Sequence, residues 1–333
     1  MNWRDFPKLE LHLHLEGAAP PPLVQRMGAE QGVDLEGLFN ADGGYNSNDF
    51  TSFLAAYEKM SRVFTKPEHY KALTEAVLAE CHAHGVLYAE IFLSPTSMGY
   101  TPAEWLETLA AIEEGADAAE AEHGVLCRFI PVAVRHHGPE KALEAAEVAI
   151  SAPRGRMRGF GIAGDERVHA PVEFAPAFAM MKEAGFRLTA HAGEFGGPES
   201  VRAALDDLWI ERVGHGVRSA EDPELVKRLA DEGVTLETCP GSNVALGVYQ
   251  ALADHPVASL AEAGVNVTIS TDDPPFFHTT MTREYETLEE TFGFGQGDYA
   301  GFARNALAAA FCEDEVKAKL GAALDKAQAS GAH

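Results

Sequence analysis

The sequence predicts an α/β protein, a (β/α)8 TIM barrel with extra helices inserted after its first strand. Eight short, largely apolar runs recur along the 333 residues, as the buried strands of a parallel sheet should read. Amphipathic helical stretches separate most of them, the alternation that builds a parallel barrel. Four of the runs end in residues suited to chemistry: His12-Leu13-His14, His191-Ala192-Gly193-Glu194, Gly214-His215-Gly216 and Thr271-Asp272-Asp273-Pro274.

The first strand is expected at 9–15 (LELHLHL). A long stretch, 20–84, then holds at least two extra helices, one of them with an apolar stripe of Phe50, Phe53, Leu54 and Tyr57. That insertion reads either as a helix pair on the barrel flank or as a lid over its mouth. Strand 86–93 (VLYAEIFL) follows, then a helix over 102–123 that opens at Thr101-Pro102, a capping residue before a proline at the first helical position. Next come strand 127–134 (CRFIPVAV), helix 139–150, strand 158–163 (RGFGIA) and helix 171–185. Strand 186–191 (FRLTAH), helix 198–208 and strand 211–215 (ERVGH) continue the alternation. Asp222-Pro223 opens a helix over 221–233, and strand 234–239 (VTLETC), helix 254–264 and strand 265–271 (VNVTIST) complete eight units. Gly185, Gly233 and Gly264 fall where a helix should stop and the next strand begin. Residues 298–330 read as C-terminal helices that finish the outer ring. No repeat or Pro/Ser-rich linker divides the chain, so 1–333 reads as a single domain.

Fifty-one acidic against 26 basic side chains give a formal charge of −25. Such a surface repels phosphate backbones and anionic lipid, which argues against nucleic-acid and membrane partners. It leaves a neutral small molecule, such as a nucleoside, free to enter a pocket. Cys81, Cys127, Cys239 and Cys312 are widely spaced without a Cys-x-x-Cys pair and read as small buried hydrophobes. The N-terminal segment lacks an apolar signal core, and no apolar run is long enough to span a bilayer. The expectation is a reduced, cytoplasmic protein.

His12 and His14 share one face of their strand, because side chains at i and i+2 point the same way. Paired neutral imidazoles suit a divalent first-row metal, zinc above all. His191 ends the fifth strand and Asp272 the eighth, and barrel sites lie at the C-terminal rim. Three histidines and an aspartate can hold one Zn2+ per chain and leave a position for water. Glu194 can lean over the metal without ligating it; burial in an apolar mouth would raise its pKa and let it donate a proton. His215, between two glycines, can orient or deprotonate a metal-bound water, or act as another ligand. Asp272 and Asp273 point to different sides, so one can take the metal while the other faces a ligand. Gly161 and Gly164, with Asp165-Glu166, end the fourth strand, where glycine lets the backbone meet a flat ligand.

Taken in order, His-Leu-His-Leu-Glu-Gly (12–17), Ala-Gly-Asp-Glu (163–166), His-Ala-Gly-Glu (191–194), Val-Gly-His-Gly (213–216), Cys-Pro-Gly-Ser-Asn (239–243) and Ser-Thr-Asp-Asp-Pro (270–274) resemble the adenosine/adenine deaminase family of metal-dependent amidohydrolase barrels. The resemblance implies zinc on His12, His14, His191 and Asp272, Glu194 as the acid that protonates ring N1, and His215 as partner of the metal-bound water. It also implies a substrate bordered by His14, with Asp273 on purine N7 and the Gly164 backbone near N3. The implied reaction is deamination of adenosine or 2′-deoxyadenosine to inosine or 2′-deoxyinosine plus ammonia, and Ala163–Glu166 looks like the adenosine branch. Glu16 departs from it: that branch has an aspartate here, which meets the ribose 5′-hydroxyl, and an extra methylene moves the carboxylate by more than about 1 Å. Adenine, or a 5′- or N6-substituted adenosine, is the alternative substrate. A non-catalytic nucleoside-binding protein is the third reading, disfavoured because every ligand and Glu194 are present.

Overall fold

The computed structural model describes residues 2–47, 49–95 and 101–330. Eight strands, β1 (Lys8–His14), β2 (Val86–Leu93), β3 (Leu126–Val134), β4 (Gly159–Ala163), β5 (Arg187–Ala192), β6 (Arg212–His215), β7 (Thr235–Thr238) and β8 (Asn266–Ile269), pair in parallel in that order. The ring closes just beyond β8. There the Asp272 N–H donates to the His12 carbonyl at 3.1 Å, and the Asp272 carbonyl accepts from the His14 N–H at 3.0 Å. The chain is a (β/α)8 barrel, and the bonds that close it are the bonds that seat Asp272 between His12 and His14.

The helices are α1 (Pro21–Gln31), α2 (Phe50–Ser61), α3 (Pro67–Ala83), α4 (Pro102–His123), α5 (Pro139–Ser151), α6 (Ala175–Glu183), α7 (Pro198–Leu208), α8 (Pro223–Glu232), α9 (Pro240–Ala245), α10 (Val257–Glu262), α11 (Met281–Phe292), α12 (Gln296–Ala309) and α13 (Asp314–Ser330). Thr101 caps α4 as expected: its hydroxyl accepts from the Glu104 N–H, and the Glu104 carboxylate accepts from the Thr101 N–H in return. The helix expected over 171–185 is split. A 3-10 turn covers Pro171–Phe174 and α6 begins after it, because Pro176 near its start has no N–H to extend the preceding turn. Gly185, Gly233 and Gly264 have φ of +80°, +68° and +85°, the left-handed turn that ends each helix.

Among the described residues, the insertion after β1 holds three helices, α1, α2 and α3. One of them, α3, packs along α4 and against β2 and so belongs to the outer ring, leaving α1 and α2 as the additional pair. The apolar stripe of α2 turns toward the barrel mouth, where Phe53 meets Phe276 and Phe277 with ring centroids 5.3 and 5.2 Å apart.

Alternation on β1 explains what the barrel encloses. Leu9 and Leu11 face outward onto Ala303 and Ala306 of α12 and Leu320 and Leu324 of α13, so Lys8, Glu10, His12 and His14 face inward. The barrel encloses buried charge beside an apolar cluster of Phe92, Ile130, Val132 and Phe311. Arg212 bonds Glu90 at 2.6 Å and Glu237 at 2.7 Å and lies over the Phe311 ring at 3.6 Å. An unpaired buried charge costs several kcal/mol; each of these has a partner. Among the described residues no helix is long and apolar enough to cross a membrane.

Candidate active site

Four donor atoms converge at the C-terminal rim. The Nε2 atoms of His12 and His14 lie 3.0 and 3.2 Å from His191 Nε2, and they lie 3.4 and 3.3 Å from Asp272 Oδ1. A tetrahedron with ligands about 2.0–2.1 Å from its centre has edges of about 3.3–3.4 Å, so the cluster has the dimensions of a four-coordinate first-row cation. Imidazole lone pairs this close repel unless a cation lies between them. Burial pushes His14 and His191 down toward the neutral, ligating form. For His12 the burial effect is outweighed by Asp272 and Glu237, which raise it to about 9. The fold thus brings together His12, His14, His191 and Asp272, the four side chains expected from sequence to share a metal.

Two of the four side chains, His12 and Asp272, are aimed by a partner behind them, and His191 is held through its backbone. His12 Nδ1 is 2.8 Å from Glu237 Oε2, which leaves Nε2 for the site. Glu237 is itself held by Arg212 at 2.7 Å and by the Thr189 hydroxyl at 2.9 Å. Arg135 donates to the His191 carbonyl at 2.9 Å. The Ser242 hydroxyl donates to Asp272 Oδ2 at 2.7 Å, leaving Oδ1 toward the histidines. Such outer partners fix ring orientation and ligand basicity. The sequence motifs do not single out Glu237, Arg212, Glu90 or Arg135. A glutamate inside the apolar runs Tyr-Ala-Glu-Ile and Thr-Leu-Glu-Thr is the signal that could have found them, since a carboxylate on a buried strand calls for an internal cationic partner.

Glu194 is buried beside this cluster, with burial first and the Asp272 and Glu166 charges next raising its pKa well above the carboxylate norm. Its loop is organised by Glu166, whose oxygens accept the N–H groups of Gly193 (2.6 Å), Glu194 (3.0 Å), Phe195 (2.9 Å) and Gly196 (2.8 Å) and the Ser200 hydroxyl. Burial alone would raise Glu166; the Ser200, Gly196 and Gly193 hydrogen bonds hold it below its usual value. The Asp165-Glu166 segment is therefore the anchor of the Glu194 loop. His215 Nε2 stands 3.7 Å from Glu194 Oε2 and 4.0 Å from Asp272 Oδ2, outside the four-atom cluster. His215 and Asp272 have φ of +59° and +68°, left-handed backbone that is uncommon outside glycine and concentrates at functional sites. Cys239 also approaches His215 and Asp272, but burial pushes its thiol far up, away from the thiolate a metal takes.

A cavity of about 720 Å³ opens onto these groups, lined by His14, Glu194, His215, Asp273, Gly164 and the Phe50, Phe53, Leu54 and Tyr57 stripe among others. Asp273 is buried, and its Oδ1 has no hydrogen-bond partner among the described residues. Burial, then the Asp272 and Glu194 charges, raise its pKa well above the usual carboxylate range. Gly164 has φ +95°, and a Cβ there would stand 2.8 Å from His136 Nδ1. His136 and His137 follow β3 and line the cavity; no motif in the sequence marks them. Glu16 is not part of the lining: the Tyr57 hydroxyl reaches Glu16 Oε2 at 3.4 Å, and burial raises that carboxyl to about 7.

A family model described as adenosine deaminase matches residues 7–327. An adenine deaminase of Sinorhizobium medicae (strain WSM419) is 45% identical over 320 residues, covering 95% of this chain and 98% of that protein. The crystal structure of adenine deaminase from Arthrobacter aurescens superposes with a TM-score of 0.89 at 30% identity, covering 98% of this chain and 99% of that one. An amidohydrolase from Burkholderia ambifaria, solved with bound Zn, superposes with a TM-score of 0.88 at 26% identity, over 98% of this chain and 93% of that one.

Proposed function

This chain belongs to the adenosine deaminase family, hydrolases of the C–N bond in cyclic amidines, and from that premise we propose that it deaminates adenine to hypoxanthine and ammonia. The observation that carries the free base over the nucleoside is Glu16. The carboxylate that the adenosine branch turns toward the ribose is here engaged by Tyr57 and withdrawn from the cavity lining. The adenine deaminase relatives support the same choice over the adenosine reading that Ala163–Glu166 suggests.

Zinc is the ion we assign to the three imidazoles and the carboxylate, where it would supply water acidic enough to attack at neutral pH. The protein's own groups do the rest. Glu194, kept protonated by burial, gives its proton to ring N1 as oxygen adds at C6. Asp273, also kept protonated, donates to ring N7. The Gly164 backbone, without a Cβ, lies along the N3 edge, and His14 borders the base. His215 faces the attacking oxygen. The amine takes up the proton that the water gave up and leaves as ammonia, the C6 hydroxyl proton returns to Glu194, and the ring regains its conjugation with a carbonyl at C6. In this reading residues 1–333 work as one domain, and the helical insertion within 20–84 covers the mouth through α2.

The test is ammonia release by the metal-loaded protein from adenine, adenosine and 2′-deoxyadenosine in parallel. Adenine should exceed adenosine in kcat/KM by about 100-fold or more, since Glu16, engaged by Tyr57, does not line the cavity to meet a ribose hydroxyl. Equal or better turnover of adenosine would overturn the assignment. The cavity of about 720 Å³ is larger than a bare purine needs and favours, as a second reading, a base substituted on N6; an N6-alkyl adenine in the same assay separates the two.

A further inference from the structure

Asn243 and His255 are buried and absent from the cavity lining, yet a line of hydrogen bonds runs through them to His215. The line begins at a group whose role is not open to choice. Val257 opens α10, and its backbone N–H, one of those a helix start leaves without an acceptor, lies 3.2 Å from His255 Nδ1. A backbone N–H can only donate, so His255 Nδ1 accepts. The proton of neutral His255 is then on Nε2.

That Nε2–H lies 3.1 Å from Asn243 Oδ1, which makes the near atom of Asn243 the carbonyl oxygen and turns its amino group the other way. The amino group stands 3.3 Å from His215 Nδ1 and 3.5 Å from Glu194 Oε1. An amide NH2 can only donate, so His215 Nδ1 must carry a lone pair, and the ring's single proton is on Nε2. This is the nitrogen that faces Glu194 and Asp272 across the site.

We propose that Asn243 and His255 are positioning residues that hold neutral His215 as its Nε2–H tautomer, so that His215 donates a hydrogen bond to the attacking oxygen instead of removing its proton. The proposal rests on the deaminase reading of the site. It narrows the role expected for His215: a ring with a proton on Nε2 has no lone pair there, and so is neither a base for the water nor a further metal ligand. The proton that the water loses as its oxygen bonds C6 passes to a carboxylate, and Asp272 is the one available while Glu194 still holds the proton meant for N1.

The first measurement needs no substrate. Long-range 1H–15N spectra of the metal-loaded, 15N-histidine-labelled protein read which ring nitrogen bears the proton, with His255→Gln removing the His255 signals and so assigning them. The expected result is Nε2–H on both His255 and His215; Nδ1–H on His215 overturns the relay. Asn243→Asp keeps the shape but offers only acceptors, so the His215 proton should move to Nδ1 and kcat should fall by about 100-fold or more with KM little changed, as a wrong-tautomer histidine does elsewhere.

Because an aspartate at 243 also sits beside Glu194, the His255 variants isolate the relay. His255→Gln retains an N–H toward Asn243 and should stay within about threefold of the parent. His255→Leu lets the Asn243 amide turn over, and kcat should drop toward that of Asn243→Asp. Equal kcat for the Gln and Leu variants would overturn the proposal. Adenine that is not turned over by the parent, with His215 protonated on Nε2, refutes the substrate assignment and leaves the relay standing.

Discussion

Gly17 decides where the second carboxylate of Asp272-Asp273 can sit. A Cβ on residue 17 would fall 1.5 Å from Asp273 Oδ1, and that side chain borders the cavity, so it has to swing into it. Gly17→Ala should therefore displace Asp273 while leaving His12, His14, His191 and Asp272 in place. The expected outcome is a fall in kcat/KM of about 100-fold, the cost of an ångström-scale misplacement at a reacting centre, with metal content unchanged by elemental analysis. Loss of metal along with activity would show that Gly17 supports the cluster rather than Asp273. The last residue of His-Leu-His-Leu-Glu-Gly is legible in the sequence as part of a motif, but its reason is not, because it lies in a contact across the barrel seam. The same holds for Glu237. His12 and His14 announce themselves by a spacing of two, whereas the carboxylate that aims His12 is 225 residues away in sequence and reaches it only once β1 and β7 share a lumen.

At the scale of elements, α2 is tied to the rim of the barrel it covers. Tyr57 packs near Phe53 and Phe276, with ring centroids 5.9 and 6.1 Å away, and its hydroxyl donates to Glu16 on the segment just past β1. Tyr57→Phe keeps the ring and removes the hydroxyl, leaving a buried carboxyl short of a donor. Such a loss costs about 1–3 kcal/mol, so the urea midpoint of unfolding should fall; an unchanged midpoint would mean that Glu16 does not depend on this hydroxyl. The helical pattern and apolar stripe of α2 are readable from the spacing of Phe50, Phe53, Leu54 and Tyr57. Which surface the stripe meets is not, since periodicity fixes a face of a helix but not its neighbour. Strand positions are more legible. Runs such as 86–93 coincide with an observed strand, because a buried parallel strand has one continuous apolar signature and a helix stop on either side. The split before α6 is hidden because Pro171 and Pro176 each read as a helix start, and pattern alone does not say which one the chain uses.

At the scale of the whole molecule, the ring and the metal site share their last connection. β8 reaches β1 through the paired backbone bonds of Asp272 with His12 and His14, while the side chains of the same three residues face one another with lone pairs and charge 3.3–3.4 Å apart. A cation at that point draws the first and last strands together, and His191 adds β5 from across the barrel. Removing the metal should therefore weaken closure of the whole fold, not just turnover. A metal present at about 1,000 times its dissociation constant adds about 4 kcal/mol to the folded state. With an unfolding entropy of about 2.1 cal/mol/K per residue, a chain of this length should lose about 6 °C in Tm when a chelator strips the site. Asp272→Ala should shrink that difference, because the site loses its one anionic donor and the only one that comes from beyond β8. Calorimetry with and without chelator, on the parent and on Asp272→Ala, checks both statements. Identical melting of the stripped and loaded parent would separate the metal from the closure of the barrel and confine its part to the chemistry at the rim.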